Sequence, residues 1–120
     1  VDIEKMRTLL ATKCMGWHKE QRNGRHIEWF NDTGQACCVV SFWKPDKEEQ
    51  QMMRVIEAMR ETGREKRWRM NAIMGKAGYH VAFYRLHGDA RGEAFAKTFP
   101  AAVSLAAARA LESEAADEQA

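Results

Sequence analysis

Long hydrophobic runs, a disulfide framework and nucleophile motifs are all missing from this 120-residue sequence. No stretch approaches the roughly 18 consecutive apolar residues of a membrane-crossing helix, so no membrane partner is expected. Val1–Arg7 mixes acids with bases and lacks the apolar core of a secretion signal. Cysteine numbers three, and two of them, Cys37 and Cys38, are adjacent. That is a poor set for disulfides and fits a reducing compartment.

Chemistry is equally sparse. A zinc site needs four ligands, usually in closely spaced pairs. Cys14 and His18 stand four apart in "KCMGWHK", Cys37 and Cys38 alternate along one strand, and the other histidines are scattered. No closed ligand set results, so no metal and no cofactor are expected. Ser41 lies in an apolar run and Ser104 in a helical one, outside any nucleophile motif. The glycines are isolated and form no phosphate-binding loop. No catalytic residue is nominated, and a non-enzyme is expected.

What the sequence does contain is bulk. Four Trp, five Phe, two Tyr and seven Met give one domain enough apolar volume for a packed core. The net charge of +2 conceals an asymmetry. Four acids (Glu112, Glu114, Asp117, Glu118) and no base fall in residues 112–120, so the remainder sets 19 bases against 13 acids. The basic surplus is densest in "RETGREKRWR", Arg60–Arg69. Such a surface admits anionic partners, but ordinary soluble domains carry such charge too, and a solvated face is the preferred reading.

Ile3, Met6, Leu10 and Cys14 recur at helical spacing behind a capping Asp2. Gly16 is the natural stop, and Trp17 the hydrophobe that folds back on the helix end. "HIEWF" (His26–Phe30) reads as a strand and "NDTG" as a turn. "ACCVVSFW" (Ala36–Trp43) reads as a strand buried on both faces, implying a sheet covered on both sides. Asp46 with Glu49 makes a box-like helix start, and Met52, Met53, Val55, Ile56 and Met59 form one apolar stripe ended by Gly63.

"RWRMNAIM" and "YHVAFYRL" flank "GKAG" as a hairpin, with Met74 set against Tyr79. Trp68, Met70, Ala72 and Met74 then share the core face with Tyr79, Val81 and Phe83. Arg67, Arg69, Asn71 and Ile73 share the other with His80, Ala82, Tyr84 and Leu86. "EAFAK" adds a short edge strand. Thr98 and Pro100 open a last helix whose Phe99, Val103, Ala106 and Ala110 face inward, the alanines implying close approach to the sheet. The expected fold is α+β: a single-domain α/β/α sandwich over 1–111, with a largely antiparallel sheet of four to five strands and three helices. Residues 112–120 are expected as a frayed acidic tail.

Arg67, Arg69, Asn71, His80 and Tyr84 are the candidate binding residues, with Arg64 and Lys66 nearby: guanidinium groups suit phosphates and carboxylates, and a tyrosine adds a stacking platform. The reading these residues favour is structural, with Arg69 simply stacked on Tyr84 as a cross-strand pair, and the first or last helix could cover the same face.

The stretches "LLATKCMGWHK", "EWF", "SFWKPDKEEQQMMRVIEAMRETG", "YHVAFYR" and "KTFPAAVSLAAARAL" together resemble the phage ABA sandwich domain, over about residues 6–111. Its most specific parts here are Met15-Gly16-Trp17 after the first helix and Thr98-x-Pro100 before the last. Phe42–Pro45 is longer than the family's F-x-P-S-x-D step. The resemblance implies a sheet between helical layers in a small phage or prophage protein of unknown function, and it supplies no catalytic residue. Its genomic context implies the bacterial host cytoplasm and a host protein partner, for example in a defence system. A nucleic acid or nucleotide at the basic Arg64–Arg69 region is the competing partner, and a homo-oligomer stays open.

Overall fold

The structure is a computed structural model that describes residues 2–22, 24–61, 68–85 and 89–119. Helix α1 spans Ile3–Leu9, with the Asp2 carboxylate accepting from the Lys5 N–H at 3.2 Å as its cap. The helix widens into a π turn over Leu10–Cys14, where the Met15 N–H bonds the Leu10 carbonyl. Gly16 follows at φ +73°, the left-handed conformation expected of a helix stop. Met6, Leu10 and Cys14 are buried as their spacing requires, but Ile3 is half-exposed at the end of the stripe.

Trp17 folds back as expected and is buried. Its ring meets Trp43 edge-on at 4.8 Å between centroids, and the Arg54 guanidinium lies 5.2 Å over it. Its backbone N–H reaches the Ala11 carbonyl. The opening motif is therefore a junction between α1 and the core.

Strands β1 (His18–Glu20), β2 (Glu28–Phe30) and β3 (Ala36–Val39) form a first antiparallel sheet. The turn between β2 and β3 closes as its composition demands: the Asn31 side-chain oxygen accepts from Thr33 and Gln35, and Gly34 takes φ +85°. "ACCVVSFW" departs from expectation. It is a strand only to Val39 and then a 3₁₀ turn, Val40–Phe42; its cysteines are half-buried and Phe42 is 66% exposed. Apolar composition alone does not distinguish a strand covered on both sides from an edge strand in a small sheet.

Helix α2 (Glu49–Glu61) buries Met52, Val55, Ile56 and Met59, while Met53 points to solvent. Asp46 does not cap it. The helix begins later, at Glu49, in the segment that is longer here than in the family pattern, and Arg7 takes the Asp46 carboxylate instead. Gln51 secures this start by donating to the Phe42 carbonyl and accepting from the Lys44 N–H. The expected stop at Gly63 lies outside the described residues.

Strands β4 (Arg69–Gly75), β5 (Gly78–Tyr84) and β6 (Arg91–Ala96) form a second antiparallel sheet in that order. The hairpin pairs as anticipated, from Met74 against Tyr79 to Arg69 against Tyr84, without a bulge. Helix α3 (Phe99–Gln119) starts at the Thr98–Pro100 step, with the Thr98 hydroxyl accepting from Ala101. It packs on β5 and β6 and receives α1 and α2 on its other flanks. Ala102, Val103, Ser104, Ala106, Ala107, Ala108 and Ala110 are all buried, as for a helix enclosed on more than one side. The small residues let β6 approach so closely that a Cβ on Gly92 would stand 2.1 Å from the Ala110 nitrogen.

The architecture is thus α+β and consistent with an ABA sandwich. Among the described residues, six strands in two three-stranded sheets replace the expected single sheet of four to five. The missed strand is β1, whose "HKE" carries no apolar alternation. Helix α3 also continues to Gln119, past residue 111, where a frayed tail was expected. Glu114 reaches Arg85, whose guanidinium stacks 4.3 Å over Trp68.

Candidate binding face

The period of two along β4, β5 and β6 sorts the second sheet into a face under α3 and an outer face. Phe83 and Val81 are fully buried on the inner side. On the outer side the registers bring three rows together. Arg69, Tyr84 and Arg91 form one, Asn71, Ala82 and Glu93 the next, and Ile73, His80 and Phe95 the third. No helix covers these rows among the described residues: Arg69, Asn71, Arg91 and Glu93 are exposed, with Ile73 at 60% and Phe95 at 56%.

The electrostatics of the rows are uneven. Glu93 sits 3.1 Å from the Arg91 guanidinium and 3.6 Å from the His80 imidazole, so part of the positive charge is met within the face. Arg69 has no hydrogen-bond or ion-pair partner among the described residues and is available to a ligand. Tyr84 lies between two guanidinium-bearing positions, half-buried, with Ala82 small and buried beside it.

Of the residues nominated from sequence, the structure places Arg69 directly opposite Tyr84, and Asn71 and His80 on the same face. Arg67, with Arg64, Lys66 and Leu86, lies outside the described residues. Sequence reasoning missed Arg91, Glu93 and Phe95. The alternation in "RGEAFA" would have put them on one face, but only the register with β5 sets them beside Tyr84 and His80.

Two clefts lie elsewhere. One of about 1010 Å³ opens between α1 and the first sheet, with Glu4, Arg25, Glu28, Trp29 and Lys44 among its walls. Another of about 520 Å³ lies between the starts of α2 and α3 and the inner side of the hairpin, walled by Met52, Met74, Tyr79 and Phe99. Neither contains an activated nucleophile. Burial pushes the Cys14 thiol up to about 12, and burial likewise raises Cys38 against the nearby Arg54 charge, so both are thiols at neutral pH. Among the described residues no group of three or more His, Cys, Asp and Glu is placed to hold a metal ion, and no helix is long and apolar enough to cross a membrane.

The comparisons with known proteins agree with this architecture. The chain is similar in fold to a phage protein from Bacillus cereus ATCC 14579 solved by crystallography. That likeness has a TM-score of 0.64 and 15% sequence identity, and covers 93% of this chain and 89% of the other. No curated protein matches the sequence. The sequence profile of the Phage ABA sandwich domain matches residues 8–108 and indicates no enzymatic family. With that profile spanning most of its length, and with the two-sheet α+β architecture in place, the chain belongs to the phage ABA sandwich domain family.

Proposed function

We propose that this phage-family protein is a non-enzymatic accessory protein that binds a host protein partner through the outer face of β4–β6. The observation that carries the reading is the Arg69–Tyr84–Arg91 row beside exposed Ile73 and Phe95. Tyrosine and arginine are enriched among the residues that dominate protein interfaces, and exposed apolar side chains on the same flat face supply desolvation energy. An acidic patch with an apolar neighbour is the partner chemistry that fits. The bacterial host cytoplasm is the compartment where such a partner would be met.

A nucleotide or single-stranded nucleic acid is the second reading, favoured by Tyr84 standing between two arginines. Glu93 inside the face weighs against a phosphate backbone, since it offsets Arg91 and repels phosphate. Capture from host lysate separates the two. Under the protein reading the captured partner survives nuclease treatment and is lost with Arg69→Ala/Tyr84→Ala, while the melting temperature of that variant stays within the range of ordinary surface changes. Capture that disappears with nuclease, and affinity that falls steeply as salt rises, would establish the nucleic-acid reading instead.

A further inference from the structure

The two edges of the second sheet are treated differently. On β6, two of the backbone groups that point away from β5 are taken by α3: the Arg91 N–H donates to the Ser113 hydroxyl at 3.3 Å, and the Glu93 carbonyl accepts from Arg109 at 2.9 Å. That edge is blunted. On β4, the opposite edge, Asn71–Gly75 are all exposed and the strand pairs only with β5 among the described residues. Strand β4 also lacks the devices by which proteins protect an edge: it has no proline, no lysine, no inward-pointing charge and no bulge.

Its register states which backbone groups are free. Gly75 and Gly78 are ladder partners only three positions apart, and a bridge that short exists only if the two residues exchange their N–H···O bonds. Hydrogen-bonded and non-hydrogen-bonded pairs alternate along an antiparallel ladder. Arg69, Asn71, Ile73 and Gly75 therefore turn their backbone groups toward β5, and Met70, Ala72 and Met74 turn theirs outward.

We propose that this edge pairs with β4 of a second copy of the chain, antiparallel about a two-fold axis at Ala72, giving a six-stranded sheet across a homodimer. The strand is self-complementary in that arrangement and in full overlap. Ala72 meets Ala72 of the second copy, and Met70 meets Met74, so every outward-facing backbone group finds a partner in about six hydrogen bonds. The 75%-exposed Met74 gains the half-buried Met70 of the other copy as its neighbour. Asn71 lies opposite Ile73. The strand's one charge, Arg69, falls opposite Gly75, so the two arginines stand about 20 Å apart at the strand rise of ~3.4 Å per residue. A second copy matches this edge in pattern, length and charge, and the pairing leaves the outer-face side chains of both copies pointing the same way. The pairing does not depend on what that face binds.

Sedimentation over about 10–200 µM tests the proposal. The wild type is expected as a dimer. Ala72→Lys sets like charges directly against each other at the axis, and Ala72 is exposed, so this variant should sediment as a folded monomer whose melting temperature no longer rises with concentration. Independently, Ala72→Cys should form a covalent dimer under mild oxidation, whereas Asn71→Cys should not, because residues diagonal across the axis exceed the roughly 7 Å reach of a disulfide. The proposal is overturned by a wild type that is monomeric throughout the range, by a dimer indifferent to Ala72→Lys, or by cross-linking through Asn71→Cys in preference to Ala72→Cys. A monomer that takes an extended peptide of another protein on β4 would likewise replace the second copy as occupant.

Discussion

Arg7 holds both carboxylate oxygens of Asp46, from Nε at 2.7 Å and from Nη2 at 2.9 Å. The pair joins the first helix to the segment before α2, and Trp43 tightens the same junction by donating its indole N–H to the Arg7 carbonyl. Burial alone would raise the Asp46 carboxyl. The Arg7 hydrogen bonds, its own backbone and the Arg7 and Lys47 charges outweigh burial and hold it below the ordinary carboxylate value.

Loss of this pair should be costly. Asp46→Ala leaves the little-exposed Arg7 guanidinium with only the solvent-facing Glu4 at 3.5 Å, which should cost about 2–4 kcal/mol. Because the folded carboxyl titrates below its unfolded value of 3.8, its stabilisation is complete above that value and disappears as pH falls through the folded one. Urea melts between about pH 6 and pH 2 should therefore show a shallower acid-side loss in Asp46→Asn than in the wild type. Parallel curves would mean the pair does not contribute.

Trp17→Ala removes a buried indole lying between Trp43 and Arg54. The expected loss is about 3–5 kcal/mol, read as a drop in the chemical denaturation midpoint. An unchanged midpoint would return the Cys14–His18 stretch to consideration as a functional element.

Gly92 is needed for lack of a side chain. A Cβ there would meet the Ala106 carbonyl oxygen at 2.3 Å and the Ala110 nitrogen at 2.1 Å, both backbone atoms of α3. Gly92→Ala should thus force helix and sheet apart and cost roughly 2–3 kcal/mol or more. Gly16→Ala is the instructive control. It has open space around its Cβ position but φ +73°, so its smaller cost of about 1 kcal/mol comes from backbone strain. Equal melting temperatures for the two variants would contradict the close approach of β6 to α3.

Metal removal provides a further check. Elemental analysis of the purified protein should find no stoichiometric zinc, and a chelator should leave its melting unchanged, since a structural zinc contributes directly to folding. One zinc per chain would refute the reading of Cys14 and His18 as parts of a helix stop and a strand.

Local chemistry made much of this fold legible. The Asp2 cap, the Gly16 stop, the Asn31–Gly34 turn, the register of the β4–β5 hairpin and the Thr98–Pro100 helix start each depend on a few neighbouring residues, and the structure reproduces them. Asp46 shows where local reasoning stops: as a helix cap it satisfies nearby rules, but an arginine 39 positions away binds it more strongly. The same holds for "ACCVVSFW", whose composition is apolar yet whose exposure depends on how few strands surround it. Most of the candidate face required both levels. Alternation along β4 and β5 put Arg69, Asn71, His80 and Tyr84 on one side, because side chains in a strand must alternate. That Arg91, Glu93 and Phe95 complete the rows, and that α3 ties down part of the β6 edge while β4 has no second partner strand among the described residues, were decided by tertiary packing. Those facts depend on which surface a distant helix buries, and burial is a property of the whole chain rather than of any segment.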